Sequence, residues 1–257
     1  MGFLTEVTDE VRRRLERSPL DESALMALAL GLPPARPFER SLLAAGAPAV
    51  IAEIKRSSPS AGKIAEADPA ARARAYEAAG AAAVSVLTEP LHFDGSLADL
   101  RAVHLAVGVP VLRKDFFVHP SQVIESRVEG ADAVLLIAAA LSGSELKALI
   151  AAAADLGLGA LVETHSEADL EKALATEAPV IGVNARDLET LEVDAARALA
   201  LLGRVPEDRI AVLESGIASR ADVERAGAAG ASAVLVGEAL MRAEDPAATL
   251  RELRGAA

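Results

Sequence analysis

The chain has 257 residues, 52% of them hydrophobic and 25% charged, enough to build one large α/β core. Its 38 acidic against 26 basic residues give a formal charge of -12, which argues against a broad nucleic-acid footprint and leaves an anionic ligand dependent on a local cationic site. With no cysteine, disulfides, thiolate catalysis and sulfur-ligated metals are excluded.

Residues 4–17 and 22–30 carry helical patterns, and Pro33, Pro34 and Pro37 then break the chain. Residues 1–48 therefore read as an N-terminal helical extension, either a plug on the body that follows or a lid over a site. Its arginine-rich stretch, 11–17, reads as a solvated helix face. Eight short β-branched runs follow, at 49–55, 82–87, 109–114, 133–137, 160–163, 180–184, 210–214 and 233–236, each trailed by a segment of helical periodicity. Asp68-Pro69, Ser142 and Ser219 stand as capping residues before helices over 70–79, 143–156 and 220–228. Several runs lack polar alternation, as strands covered on both faces do, and no GxGxxG follows any of them. The expectation is an α/β fold, a (β/α)8 TIM barrel over 49–257 that forms one domain with the extension, in preference to a doubly wound open sheet. Apolar runs fall well short of the roughly 18 residues that span a bilayer, and the N-terminus does not read as a secretory signal, so a cytoplasmic location and no membrane partner are expected.

In such a barrel the chemistry sits where strands end. Glu53 and Lys55, two apart on the first strand, share one side of it and either face the barrel mouth or form a structural ion pair. Lys114 ends the third strand, so two of the five lysines (Lys55, Lys63, Lys114, Lys147 and Lys172) fall at strand ends. Glu163 ends the fifth and Asn184 the sixth, with Arg186 two residues on; six charged or polar groups thus converge on one rim. Gly216 and Gly237 follow the seventh and eighth strands and precede helices, the position at which many barrels bind phosphate. Phe93 and Phe116, among few aromatics, wall an aromatic pocket with Leu135 and Leu188, or simply pack loops. His92, His104, His119 and His165 lack paired ligand spacing, so no metal site or other cofactor is expected; His165 reads as a loop or cap residue.

The segments IAEIKRSSPS (51–60), LTE (87–89), FDGS (93–96), LRKDF (112–116), GVNARDL (182–188) and ESGI (214–217) resemble the indole-3-glycerol phosphate synthase family over nearly the whole chain. The resemblance implies a carbon-carbon carboxy-lyase (a decarboxylase) of tryptophan and aromatic amino-acid biosynthesis. It would convert 1-(2-carboxyphenylamino)-1-deoxyribulose 5-phosphate to indole-3-glycerol phosphate with loss of CO2 and water. It implies Lys114 as the acid for ring closure, Lys55 and Glu163 as the pair serving dehydration, and Glu53, Asn184 and Ser215 as the rest of the catalytic set. Ser58 and Arg186 would hold the substrate carboxylate or order a loop. Phe93, Phe116, Leu135 and Leu188 would meet the ring, and Gly216, Gly237 and Glu238 the phosphate. Where the family often has serine, this chain has Glu238, which is expected to offer its backbone N–H and turn its carboxylate away. The alternatives are a Schiff-base aldolase using Lys114, a sugar-phosphate isomerase on the same barrel, and a non-catalytic phosphate-binding module.

Overall fold

The computed structural model describes residues 2–46, 48–59, 62–64, 68–188 and 190–256; Ser60, the last residue of the first motif, lies outside them. Eight parallel strands close on one another in chain order: β1 (Ala49–Ile54), β2 (Ala83–Leu87), β3 (Val111–Lys114), β4 (Ala133–Ile137), β5 (Gly159–Thr164), β6 (Val180–Asn184), β7 (Ile210–Glu214) and β8 (Ala233–Val236), with β8 pairing back to β1. The expected TIM barrel is therefore present. β3 begins later than its apolar run because Pro110 has no N–H to give the ladder, although its carbonyl accepts from Val84 N at 3.0 Å.

Strand alternation divides the apolar residues into two cores. Val84, Val134, Leu136, Val162, Ile181 and Val234 face outward onto the helices. Ile51, Leu112, Leu135, Leu161, Val212 and Leu235 face inward. Inside, side chains stack in layers drawn from alternate strands. One layer is Ile51, Leu112, Leu161 and Val212, from β1, β3, β5 and β7. Two residues further along the same four strands stand Glu53, Lys114, Glu163 and Glu214, all substantially buried. The parity of the strands thus collects four charged side chains at one height, above an aliphatic floor.

The helices start where capping chemistry places them. Ser142 caps Gly143–Asp155 and Ser219 caps Arg220–Ala228, each in a reciprocal capping box, and Asp68 accepts from Ala70 N before Pro69–Ala78. The extension forms α1 (Phe3–Arg17), α2 (Glu22–Leu30) and a third helix not foreseen, α3 (Phe38–Ala44), too short for its periodicity to register. Phe38 and Leu42 of α3 are fully buried in the inner core at the N-terminal end of the barrel. A Cβ at Gly159 would lie 3.0 Å from the Phe38 ring, so glycine opens β5 to admit it. Ser41 Oγ also donates to Ala82 O at 2.6 Å. At the opposite end, α1 presents Phe3 beside Phe116, with ring centroids 6.2 Å apart. The extension therefore plugs one end through α3 and walls the other through α1. Arg13, Arg14 and Arg17 of α1 are solvent-facing, with Arg17 reaching Glu10 at 2.8 Å, whereas Arg12 is half-buried. No helix among the described residues is long and apolar enough to cross a membrane.

Candidate active site

A cavity of about 550 Å³ opens at the C-terminal ends of the strands, and all fifteen residues singled out from the sequence line it. Its base is the charged layer. Lys114 Nζ donates to Glu163 Oε2 at 3.0 Å and to Glu214 Oε2 at 2.9 Å. Glu163 and Glu214 are 2% and 1% exposed. On β1, Lys55 Nζ lies 2.7 Å from Glu53 Oε1, so the spacing of two does put both on one side. Arg113, the neighbour of Lys114, points the other way into a buried network with Asp115 at 2.8 Å and Glu125 at 2.9 Å, which anchors the end of β3.

Glycines make room for the carboxylates. A Cβ at Gly237 would lie 2.3 Å from Glu53 Oε1, and one at Gly182 would lie 2.3 Å from Glu214 Oε1. Gly237 thus has a reason to be glycine that the sequence did not disclose, apart from any ligand.

Two ammonium groups and the His165 ring face three carboxyls here, so protons are shared across the group. Burial and the adjacent Glu163 push Glu214 up to about 8, against the pull of Lys114. Burial would raise Glu163 too, but Lys114 and His165 outweigh it and hold it well below the usual carboxylate range. Burial works against charge on Lys114, yet the facing Glu163 and Glu214 outweigh that and raise its proton affinity well above that of an ordinary lysine. Glu53 is lowered by Lys55 and Lys114 despite its burial. Of the three carboxyls, Glu214 is the one whose proton affinity is raised.

The apolar wall is formed by Phe93, Phe116, Leu135 and Leu188, with Phe3, Leu87 and Ile137 added. Phe93 and Phe116 are 6.2 Å apart between centroids. The loop bearing Phe93 is built around the buried Glu89 carboxylate, which accepts from Leu91 N at 2.9 Å and His92 N at 2.7 Å. Arg56 ties the loop after β1 to the helix after β2 through Asp99 at 2.7 Å, and Ser58 lies in that first loop. Asn184 Oδ1 accepts from Arg186 N at 2.9 Å, and Arg186 Nη1 donates to Leu191 O at 2.9 Å. In this structure Arg186 therefore orders the loop carrying Leu188, and Asn184 holds that loop's backbone.

On the opposite wall, Ser215 and Gly216 both have left-handed backbone, at φ 65° and 74°, a conformation that costs a serine energy. After β8 comes a short helix, Glu238–Arg242, whose N-cap Gly237 supplies no side-chain cap, so its first amides are left for another acceptor. The Glu238 carboxylate is taken by Arg242 Nε at 3.0 Å, with Arg186 Nη2 at 3.9 Å.

Two residues of this centre were not singled out from the sequence. Glu214 stands in the ESGI motif beside Ser215, and the even spacing from Val212 that turns it inward is the signal that finds it. His165 does lie in the loop before the next helix. Its ring, however, is turned onto Glu163, with Nε2 3.1 Å from Oε1. Nothing in its spacing announces that contact. Among the described residues, no three His, Asp or Glu side chains are grouped to hold a metal ion.

Comparison with known proteins agrees with the motifs. The family model for indole-3-glycerol phosphate synthase matches residues 3–253. The chain is similar to the indole-3-glycerol phosphate synthase of Micrococcus luteus, at 49% identity over all of this chain and 98% of the relative. It is also similar to that of Leifsonia xyli subsp. xyli, at 51% identity over 96% of this chain and 94% of the relative. Among solved structures, thiamine phosphate pyrophosphorylase from Pyrococcus furiosus aligns with TM-score 0.60 and 16% identity over 84% of this chain and 96% of that one. Mandelate oxidase with (S)-2-phenylpropionate aligns with TM-score 0.59 and 19% identity, covering 81% and 72% respectively. At those identities the solved structures speak for the fold alone.

Proposed function

The chain belongs to the indole-3-glycerol phosphate synthase family, and from that premise we propose which of its residues carry each step of the reaction. The activity is that of a carboxy-lyase: 1-(2-carboxyphenylamino)-1-deoxyribulose 5-phosphate becomes indole-3-glycerol phosphate, CO2 and water. The observation that carries the assignment of roles is Lys114, a buried ammonium held by two buried carboxylates on the floor of a cavity with one aromatic and one backbone-rich wall.

Ring closure joins the aromatic carbon bearing the carboxylate to the C2 carbonyl carbon, and the oxygen takes up negative charge as it does so. Lys114 protonates that oxygen. CO2 then leaves and aromaticity returns. Dehydration needs a proton on the departing hydroxyl, supplied by Lys55, and removal of one from the C1 methylene carbon beside the anilinic nitrogen, taken by Glu163. Glu53 holds Lys55, while Glu214 stores a proton beside Lys114. The ring packs against Phe93, Phe116, Leu135 and Leu188. The phosphate lies between the Ser215-Gly216 turn and the uncapped amides that follow Gly237, where Glu238 offers its N–H. Ser58 and Arg186 stand nearest the substrate carboxylate. A Schiff-base role for Lys114 is disfavoured, since it needs a free amine and two carboxylates hold this one charged.

The test is direct. Purified protein mixed with the carboxyphenylamino sugar phosphate is expected to release CO2 in step with the appearance of indole fluorescence, and the Lys55, Lys114 and Glu163 variants to lose that turnover. Wild-type turnover in any one of them removes that residue from the scheme. We place the enzyme in the cytoplasm, where a phosphorylated precursor is retained; activity recovered outside the cytosolic fraction would overturn this.

A further inference from the structure

The reaction has a proton requirement that its site must meet. The substrate enters as a carboxylate and leaves its carboxyl group as CO2. Two protons go onto the former carbonyl oxygen to make water and one comes off the C1 methylene carbon, so each turnover draws one proton from solvent. With the sugar phosphate seated in the mouth, that proton needs another way in.

His165 stands on the far side of Glu163 from Lys114. Its Nε2 is 3.1 Å from Glu163 Oε1, while Lys114 Nζ is 3.0 Å from Glu163 Oε2. Both ring nitrogens are buried and neither makes a hydrogen bond. Leaving buried nitrogens so is costly. The same side chain lines a second cavity of about 310 Å³, together with Thr5, Thr8 and Arg12 of α1 and Asp187 and Leu188 of the loop after β6. Leu188 divides this cavity from the substrate cavity.

We propose that His165 is a proton relay, carrying the proton consumed in each turnover from the second cavity to Glu163 and so to Lys114. This rests on the roles given above to Glu163 and Lys114. The ring takes a proton from water in the second cavity and becomes imidazolium, then gives Nε2–H to Glu163 Oε1. Glu163 passes a proton from Oε2 to Lys114 Nζ once the lysine has protonated the substrate oxygen, and is ionised again when dehydration begins; the proton it then takes from the substrate returns by way of Lys114 and Glu53 to Lys55, which gave one to the departing hydroxyl. In the relay itself only N–H and O–H bonds change, and one proton enters for each CO2 released. The charges around the ring suit a relay. Glu163 and, more distantly, Glu214 face it, Asp169 Oδ2 lies 3.3 Å from its backbone N, and Arg12 and Asp187 share its cavity. Burial lowers its proton affinity, but Glu163 more than restores it.

The experiment compares His165→Gln and His165→Ala with the parent enzyme across pH 5.5 to 9, following CO2 and indole fluorescence. A glutamine can prop the Glu163 carboxylate but cannot shuttle a proton. Expected are a fall in kcat of about tenfold or more in both variants, KM within about twofold, loss of one ionisation from the kcat profile, and recovery of His165→Ala by added imidazole. Parent-like kcat in His165→Gln across the range overturns the relay and leaves only a prop. A deficit in His165→Ala that imidazole does not relieve overturns it too. If the alanine variant does not fold, the glutamine profile decides. Glu163→Gln run in parallel separates the layers: if it retains full turnover, the role of Glu163 itself fails, whereas impairment there with an unaffected His165→Gln sinks the relay alone.

Discussion

Replacing Lys114 by methionine tests the centre of the site, because it keeps the aliphatic stem and removes only the ammonium. Glu163 and Glu214, 2% and 1% exposed, then lose their shared cation. Removing one partner of a buried pair costs about 3–5 kcal/mol. At roughly 2–4 °C per kcal/mol for a chain of this size, the thermal midpoint should drop by about 6–20 °C. The native state relieves the loss by binding protons, chiefly at Glu163, whose folded value then rises above the unfolded one as that of Glu214 already does. Groups raised in this way stabilise the fold at low pH and lose that contribution as pH rises, so the deficit should be smaller at pH 5 than at pH 8. Turnover should fall by roughly a hundredfold or more, the scale of a lost proton donor. Thermal unfolding at both pH values and indole fluorescence read the two effects. A midpoint deficit that does not change with pH would refute the shared-cation reasoning, and parent-like kcat would refute the acid.

Further outcomes follow from other contacts. Gly237→Ala places a methyl against Glu53 Oε1 and should cost about 1–3 kcal/mol along with kcat; an unmoved Glu53 in the variant's crystal structure with intact turnover contradicts this. Phe38→Ala empties the plug of the barrel and should cost about 3–5 kcal/mol in denaturant unfolding with little change in kcat. Because Phe38 packs in the inner core, we expect extension and barrel to unfold in one transition, and two separated transitions would show them to be independent. Glu214, folded at about 8 against 4.5 as its ordinary value, contributes stability that is full below pH 4.5 and is lost as pH climbs to about 8. Glu214→Gln should remove up to ~1.4 kcal/mol per pH unit of that slope, and an unchanged slope would show that Glu214 does not hold the proton. Gly216→Ala, forced to φ 74° and 3.1 Å from Val193 Cγ1, should raise KM and weaken inhibition by inorganic phosphate more than it lowers kcat; a parent-like KM removes that turn from the phosphate site.

The barrel was legible because its strands are buried on both faces and so write themselves as uninterrupted apolar runs, while capping residues mark the helices between them. Strand limits slipped by two residues at Pro110, which lacks an N–H for the ladder, and by single residues at a few other ends. The short helix Phe38–Ala44 was not legible: about two turns after a proline carry too little period. At the site, Glu53 with Lys55 and Lys114 with Glu163 were readable as polar residues at strand ends. Glu214 needed the strand's phase as well as its end. His165, Phe3 and the second use of Gly237 depend on contacts between segments distant in sequence, which no local pattern encodes.

The division of the inner layers by strand number separates two kinds of evolutionary freedom. Every acid and amine on the floor is carried by β1, β3, β5 or β7, whereas Leu87, Leu135 and Ile137, which shape the space beside them, belong to β2 and β4. Trimming or enlarging those aliphatic chains would redraw the outline offered to an aryl group while leaving the proton circuitry in place. A lineage of such enzymes can thus explore substituted rings by mutation on one set of staves without rewriting the chemistry held on the other.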